Sequence, residues 1–171
     1  MPEIIAFSRY FPESHRKAGQ ATRFLEKILK SLPDRLEIIS DLSLAGILND
    51  TAFRLEEPKY HTIRTGTRFK AGDKFSPRLW LGDPNTSQQL VFAPEIEIKQ
   101  TWSFDCDKKG VISINGSNIG EDIKAALAKN DGISMEDFYD WLILPCVTGG
   151  KGFKGQIICW SDSVSYPRSS M

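Results

Sequence analysis

The stretch Lys59-Tyr60-His61-Thr62-Ile63-Arg64, followed by Phe69-Lys70-Ala71-Gly72-Asp73 and then Lys74 to Leu81, is where the chain changes character. Before it the clearest periodicity is helical; from His61 onward it is that of short strands. His61–Arg64, Lys74–Leu81, Gln88–Phe92, Glu95–Phe104, Val111–Ile114 and Gln156–Trp160 each read as strands. Turn residues separate them at Ala71-Gly72-Asp73, Gly82-Asp83-Pro84-Asn85 and Asp107-Lys108-Lys109-Gly110. In the longest run Ile96, Ile98, Trp102 and Phe104 share a face, broken only by Gln100. Short strands spaced in this way predict a barrel or sandwich, not a parallel sheet.

Upstream, Ile4–Phe7 reads as a buried first strand. Ala21, Phe24, Leu25, Ile28, Leu29 and Leu32 form one apolar helical face, with Lys30 in the last turn and Pro33 as the stop. Leu36–Ile39 is expected as a short strand and Asp41–Leu48 as a short helix or irregular piece. Downstream, Glu121–Lys129 carries Ile123, Ala126 and Leu127 on one side of a helix. A further helix, Met135–Leu142, starts at Ser134, with Asp137 three residues on and Ile133 and Phe138 placed as a hydrophobic staple. The Ser- and Pro-rich tail from Ser161 is expected to fray.

With 171 residues, 40% of them hydrophobic and 26% charged, the chain has the length and mix of one soluble globular domain. Its 22 basic and 22 acidic side chains cancel, which argues against a protein that coats nucleic acid by net charge alone. Cys106, Cys146 and Cys159 are odd in number and form no C-x-x-C pair, so free thiols in a reducing compartment are expected. His15 and His61 are far apart, and no metal cluster is expected. No window approaches a membrane span or a secretion signal; a soluble cytoplasmic protein follows, with no membrane partner.

Zero net charge hides an asymmetry. Residues 59–78 hold six basic side chains (Lys59, Arg64, Arg68, Lys70, Lys74 and Arg78) against Asp73 alone. Residues 95–140 hold ten acids against five lysines. The basic segment suits a polar ligand or RNA phosphates, and it equally suits solvated strand faces. In an extended strand Lys59, His61 and Ile63 point one way and Tyr60, Thr62 and Arg64 the other, so Lys59 and Thr62 share a pocket only if the chain turns or bulges between them. His61 reads as a packing or capping residue of the strand, not a base. The four tryptophans read as core, and Gly149-Gly150-Lys151-Gly152 as a flexible loop that lacks the spacing of a phosphate-binding loop.

The Lys-x-x-Thr-Ile-Arg pattern at 59–64, followed by Phe69-Lys70-Ala71-Gly72-Asp73 and a strand, resembles the signature of the ASCH domain family. The resemblance spans roughly residues 59 to 160, and Gly155-Gln156-Ile157-Ile158-Cys159-Trp160 is similar to that family's last strand. It implies an α+β fold, a PUA-like mixed or antiparallel β-barrel with flanking helices. The chain then reads as one domain, 1–171, with 1–58 as an N-terminal extension or insertion and 59–160 as the core.

In the compact family members that hydrolyse the amide of N4-acetylcytidine, the motif's lysine and threonine are taken as catalytic. By this resemblance the catalytic groups are Lys59 and Thr62, with Asp131 at the position of the family's glutamate, and Arg64 falls on the motif arginine. Arg64, Arg68, Lys70 and Arg78 are the expected ligand-binding residues. Asp131 stands three residues before Ser134, where the following helix would favour an ionised carboxylate. The chain departs from those enzymes by its shorter acid, its greater length, and Pro58 where they carry a basic residue. The implied activity is metal-independent hydrolysis of a modified nucleoside amide without cofactor. A non-catalytic RNA- or nucleotide-binding module is the alternative, and a protein-interaction surface on residues 1–58 is a third.

Overall fold

A computed structural model describes residues 3–33 and 35–167, apart from the side chain of residue 36. The chain divides into two compact units. Residues 1–59 and 74–97 form the first; residues 60–73 and 98–171 form the second. The chain first passes from one unit to the other after Lys59, and residues 74–97 belong again to the first.

In the first unit, β1 (Glu3–Ser8) lies parallel to β3 (Lys74–Trp80). The far side of β3 is shared by β4 (Gln89–Val91) and β5 (Ile96–Glu97), both antiparallel to it. Pro77 of β3 lacks an N–H and falls between the stretches that β4 and β5 pair, so no ladder bond is lost there. Along β1, Ile5 and Phe7 are buried while Ile4 is exposed, the alternation of a half-covered strand. The parallel pair makes this sheet a mixed one, within the mixed or antiparallel arrangement expected. Three helices between β1 and β3 supply the long crossover such a pair requires.

Those helices are α1 (Phe24–Ser31), α2 (Leu36–Leu44) and α3 (Asp50–Leu55). The apolar face of α1 buries Phe24, Leu25, Ile28 and Leu29. Residues 36–39, expected as a strand, are the first turn of α2. Three apolar residues around Glu37 cannot distinguish the two, and the helical period emerges only when Leu42 is included. Gly46, at φ 73, ends this helix in the left-handed conformation. The sequence reading missed α3; Asn49 caps it by accepting from the Ala52 amide at 2.8 Å.

The second unit holds an antiparallel sheet in the order β2-β9-β6-β7-β8. These strands are β2 (His61–Thr65), β6 (Gln100–Cys106), β7 (Ile112–Ile114), β8 (Ser117–Asn118) and β9 (Phe153–Cys159). The run read as one strand over 95–104 breaks at 98–99, where Ile98 bonds to the turn at Asp73 and Lys99 to Cys159. Helix α4 (Glu121–Asn130) precedes a continuous helical run: α5 (Met135–Phe138), a π-helical turn (Tyr139–Ile143) and α6 (Leu144–Gly149). Ser134 caps α5 as its sequence indicates, accepting from the Asp137 amide at 3.1 Å. The buried core of this unit includes Trp102, Phe104, Ile114, Leu127, Phe138 and Ile157.

The tail does not fray through residue 167. Val164 and Tyr166 are buried in the same core, and Gln100 Nε2 donates to the Val164 carbonyl at 2.8 Å. Its last residues, 168–171, lie outside the described part. The fold is thus mixed α+β, with the strands divided between two sheets. Among the described residues neither sheet closes into a barrel. Among the described residues no helix is long and apolar enough to cross a membrane.

Candidate functional site

Strand β2 carries the motif into the second unit along the edge of its sheet, paired only with β9. That pairing depends on Gly155. A Cβ there would lie 2.1 Å from the Arg64 carbonyl oxygen, so only glycine allows the two backbones to approach. Next to it, the buried amide of Gln156 closes a reciprocal pair with Phe69, donating to its carbonyl and accepting from its N–H, each at 3.0 Å. This fastens the basic loop that follows β2.

Thr62 and Arg64 share a strand face, as alternation requires, and they touch. Arg64 Nε donates to Thr62 Oγ1 at 3.1 Å, with the threonine 5% exposed. Burial pulls the Arg64 guanidinium down to about 10, and the Asp131 carboxylate works against that shift. The group remains a cation at neutral pH. Thr62 Oγ therefore accepts from a cation and still has its own proton to donate.

Asp131 is not in a free loop ahead of the next helix. It closes α4, its amide bonded to the Leu127 carbonyl, and so sits at the carbonyl end of that helix. There the backbone dipole disfavours a carboxylate, the opposite of the expected effect from α5. Asp131 Oδ1 lies 3.1 Å from His61 Nδ1, and Arg64 adds positive charge nearby. The carboxylate keeps 14% of its surface exposed.

Lys59 ends the first unit. It is 1% exposed, with Nζ 4.4 Å from the centre of the Phe24 ring and 6.0 Å from that of Phe7. A lysine so deeply buried is rare, and aromatic faces are one of few environments that compensate an ammonium. Its amide donates to the Lys27 carbonyl at 3.0 Å, while Tyr60 bonds to Asn130 and Trp160. Ladder pairing thus begins after Lys59.

The expected ligand-binding residues fall in both units. Arg64, Arg68 and Lys70 belong to the second unit and Arg78 to the first. Arg68 and Lys70 are exposed, the former over the Phe69 ring at 4.6 Å. Arg78 is half-buried and donates to Gln89 Oε1 at 3.3 Å, as befits a strand-face residue.

The sequence reading set His61 aside and missed two residues beside it. His61 is fully buried, its Nε2 2.6 Å from the Tyr166 hydroxyl, to which Asn130 Nδ2 donates at 3.0 Å. Tyr166 lies in the tail, where composition suggested disorder. Alternation along β2 does place His61 opposite Thr62, but nothing local indicates its partners. Among the described residues no three His, Cys, Asp or Glu side chains gather as a metal-ligand set. A cavity of about 200 Å³ in the first unit, lined by Arg9, Tyr10, Arg23 and Glu26, and one of about 420 Å³ in the second, at Asp105–Lys108 and Lys151–Lys154, include none of the motif residues. No family model, curated protein or solved structure matches the chain.

Proposed function

We propose that this chain is a metal-independent amide hydrolase acting on a modified nucleoside such as N4-acetylcytidine, built on a PUA-like scaffold in the cytoplasm. The observation that carries the reading is the contact between Arg64 Nε and Thr62 Oγ1 at 3.1 Å. A hydroxyl that accepts from a partly buried cation becomes an alkoxide at lower cost, which a threonine nucleophile needs. By the motif resemblance Lys59, three residues before Thr62, is the base that takes the Thr62 proton as a neutral amine.

On this reading Thr62 Oγ attacks the acyl carbonyl carbon and its proton passes to Lys59. The tetrahedral adduct collapses with cleavage of the C–N bond, and the cytosine amine leaves with a proton relayed by Asp131. Water, positioned by Asp131, then cleaves the acyl ester on Thr62, releasing the carboxylic acid and restoring the hydroxyl. Incubating the chain with a panel of N4-acylated cytidines in the presence of chelator, followed by chromatography, should show release of cytidine. Absence of turnover across the panel at high enzyme concentration overturns the reading.

The exposure of Arg68 and Lys70 on the fastened loop favours a second reading, a non-catalytic RNA- or nucleotide-binding module. It becomes the better one if the chain turns over nothing yet retains RNA with an affinity that falls steeply with salt.

A further inference from the structure

Four side chains of the second unit, Asn130, Tyr166, His61 and Asp131, form a hydrogen-bond chain that has one direction when the imidazole is neutral. Asn130 Nδ2 has only protons to give, so Tyr166 Oη accepts from it at 3.0 Å. The phenol then has one proton left, and it goes to His61 Nε2 at 2.6 Å. Burial pushes the Tyr166 hydroxyl well above the usual tyrosine range, so that proton is retained. With Nε2 occupied as an acceptor, the neutral imidazole carries its proton on Nδ1, which lies 3.1 Å from Asp131 Oδ1. Every donor in the series faces the carboxylate.

We propose that Asn130, Tyr166 and His61 are positioning residues that hold Asp131 as an oriented hydrogen-bond acceptor by locking His61 in its Nδ1–H tautomer. The position of Asp131 at the carbonyl end of α4 gives this chain a purpose. The helix dipole there works against the carboxylate, and His61 offers it a donor whose direction is set two links away. Tyr166 is held in place by the Trp102 ring, edge-on at 4.9 Å, so the link is anchored in the core and not in solvent. That this orientation serves proton transfer rests on the hydrolase reading; the tautomer itself does not.

The test separates the two. The chain has two histidines, and they are opposite cases: His15 Nδ1 accepts from the Lys17 amide at 3.0 Å, which places its proton on Nε2. Nitrogen-15 NMR of the imidazoles in the full chain at neutral pH should therefore show one histidine of each tautomer. In Tyr166→Phe the His61 Nε2 resonance should move while the His15 signals stay. Two Nε2–H histidines, an imidazolium at His61, or an unmoved Nε2 in the phenylalanine variant would overturn the proposal. On an N4-acylcytidine substrate, Tyr166→Phe should lower kcat about 10- to 100-fold with KM little changed, as loss of an orienting outer partner does. His61→Asn, whose Nδ2 overlays Nδ1, should retain more activity than His61→Gln, whose Nε2 overlays the other nitrogen. Equal loss in both, with native melting temperatures, counts against positioning. If the tautomers are as stated and the wild-type chain hydrolyses nothing, the positioning chain stands and the hydrolase reading falls.

Discussion

Thr62 and Arg64 offer the sharpest separation of chemistry from structure. Thr62→Val keeps the β-branched shape that β2 favours and deletes the hydroxyl. It leaves the Arg64 Nε–H without its acceptor, a loss of about 1–3 kcal/mol if water cannot enter. Thr62→Ser keeps the hydroxyl and loses only a methyl. On the hydrolase reading valine abolishes turnover, while serine retains a large part of it. Kinetics on an acylated cytidine, read beside urea denaturation, check both. Equal activity in the two variants would remove Thr62 from the chemistry. The Lys-x-x-Thr-Ile-Arg pattern made this pair readable, since positions two apart on a strand share a face. His61 illustrates the opposite case. Its strand, face and neighbours in sequence were all legible, yet its partners lie 70 and 105 residues away and carry no local sign.

Among the elements, β2 depends most on another strand. It is an edge strand with β9 as its one partner, and Gly155 lets the two meet. Gly155→Ala would drive a methyl into the Arg64 carbonyl and the Phe153 ring, a clash that backbone cannot relieve cheaply. The expected cost is about 1–3 kcal/mol, with early loss of amide protection at residues 61–65. Hydrogen exchange on the variant checks it; protection of β2 equal to wild type would show that β9 tolerates the side chain. The helices repeat the lesson at this scale. The α1 pattern identified the helix but placed its start three residues early, since Arg23 is left-handed and the helix runs Phe24–Ser31, while α5 began at the capping residue its sequence shows. Residues 36–39 were misread because a short apolar run carries no period of its own.

The whole molecule carries three buried, free thiols, and burial sets its response to alkali. Desolvation pushes Cys106 up to about 12 and Cys159 up to about 11. Both exceed the unfolded value of 9.0, so the folded state holds protons that the unfolded state releases. The stability linked to these thiols is complete below pH 9 and declines as pH rises through 11 to 12. Arg64, pulled down from 12.5 to about 10, acts in the opposite sense above pH 10, as the folded state then releases its proton first. Between pH 9 and 10 Tyr166, raised in the same sense, and Arg64, lowered, also begin to contribute, so the cysteine variants are what single out the thiols. Urea denaturation under reducing conditions should show stability falling across that interval, by at most about 1.4 kcal/mol per pH unit for each thiol. Cys106→Ala and Cys159→Ala should flatten the fall; a flat wild-type curve would contradict the assignment. At this scale the local chain determined a good deal: the strand series from His61, the turns between strands, the α1 and α4 helices, the Ser134 cap and the buried tryptophans at 102 and 160. Each follows from a period, a cap or a turn residue within a few positions. Tertiary structure alone decided the parallel pairing of β1 with β3, the division of strands into two sheets, the end-of-helix position of Asp131 and its link through His61 to Tyr166. Those outcomes depend on which distant segments bury one another's apolar faces, and pairing across 105 residues leaves no periodicity in either segment to announce it.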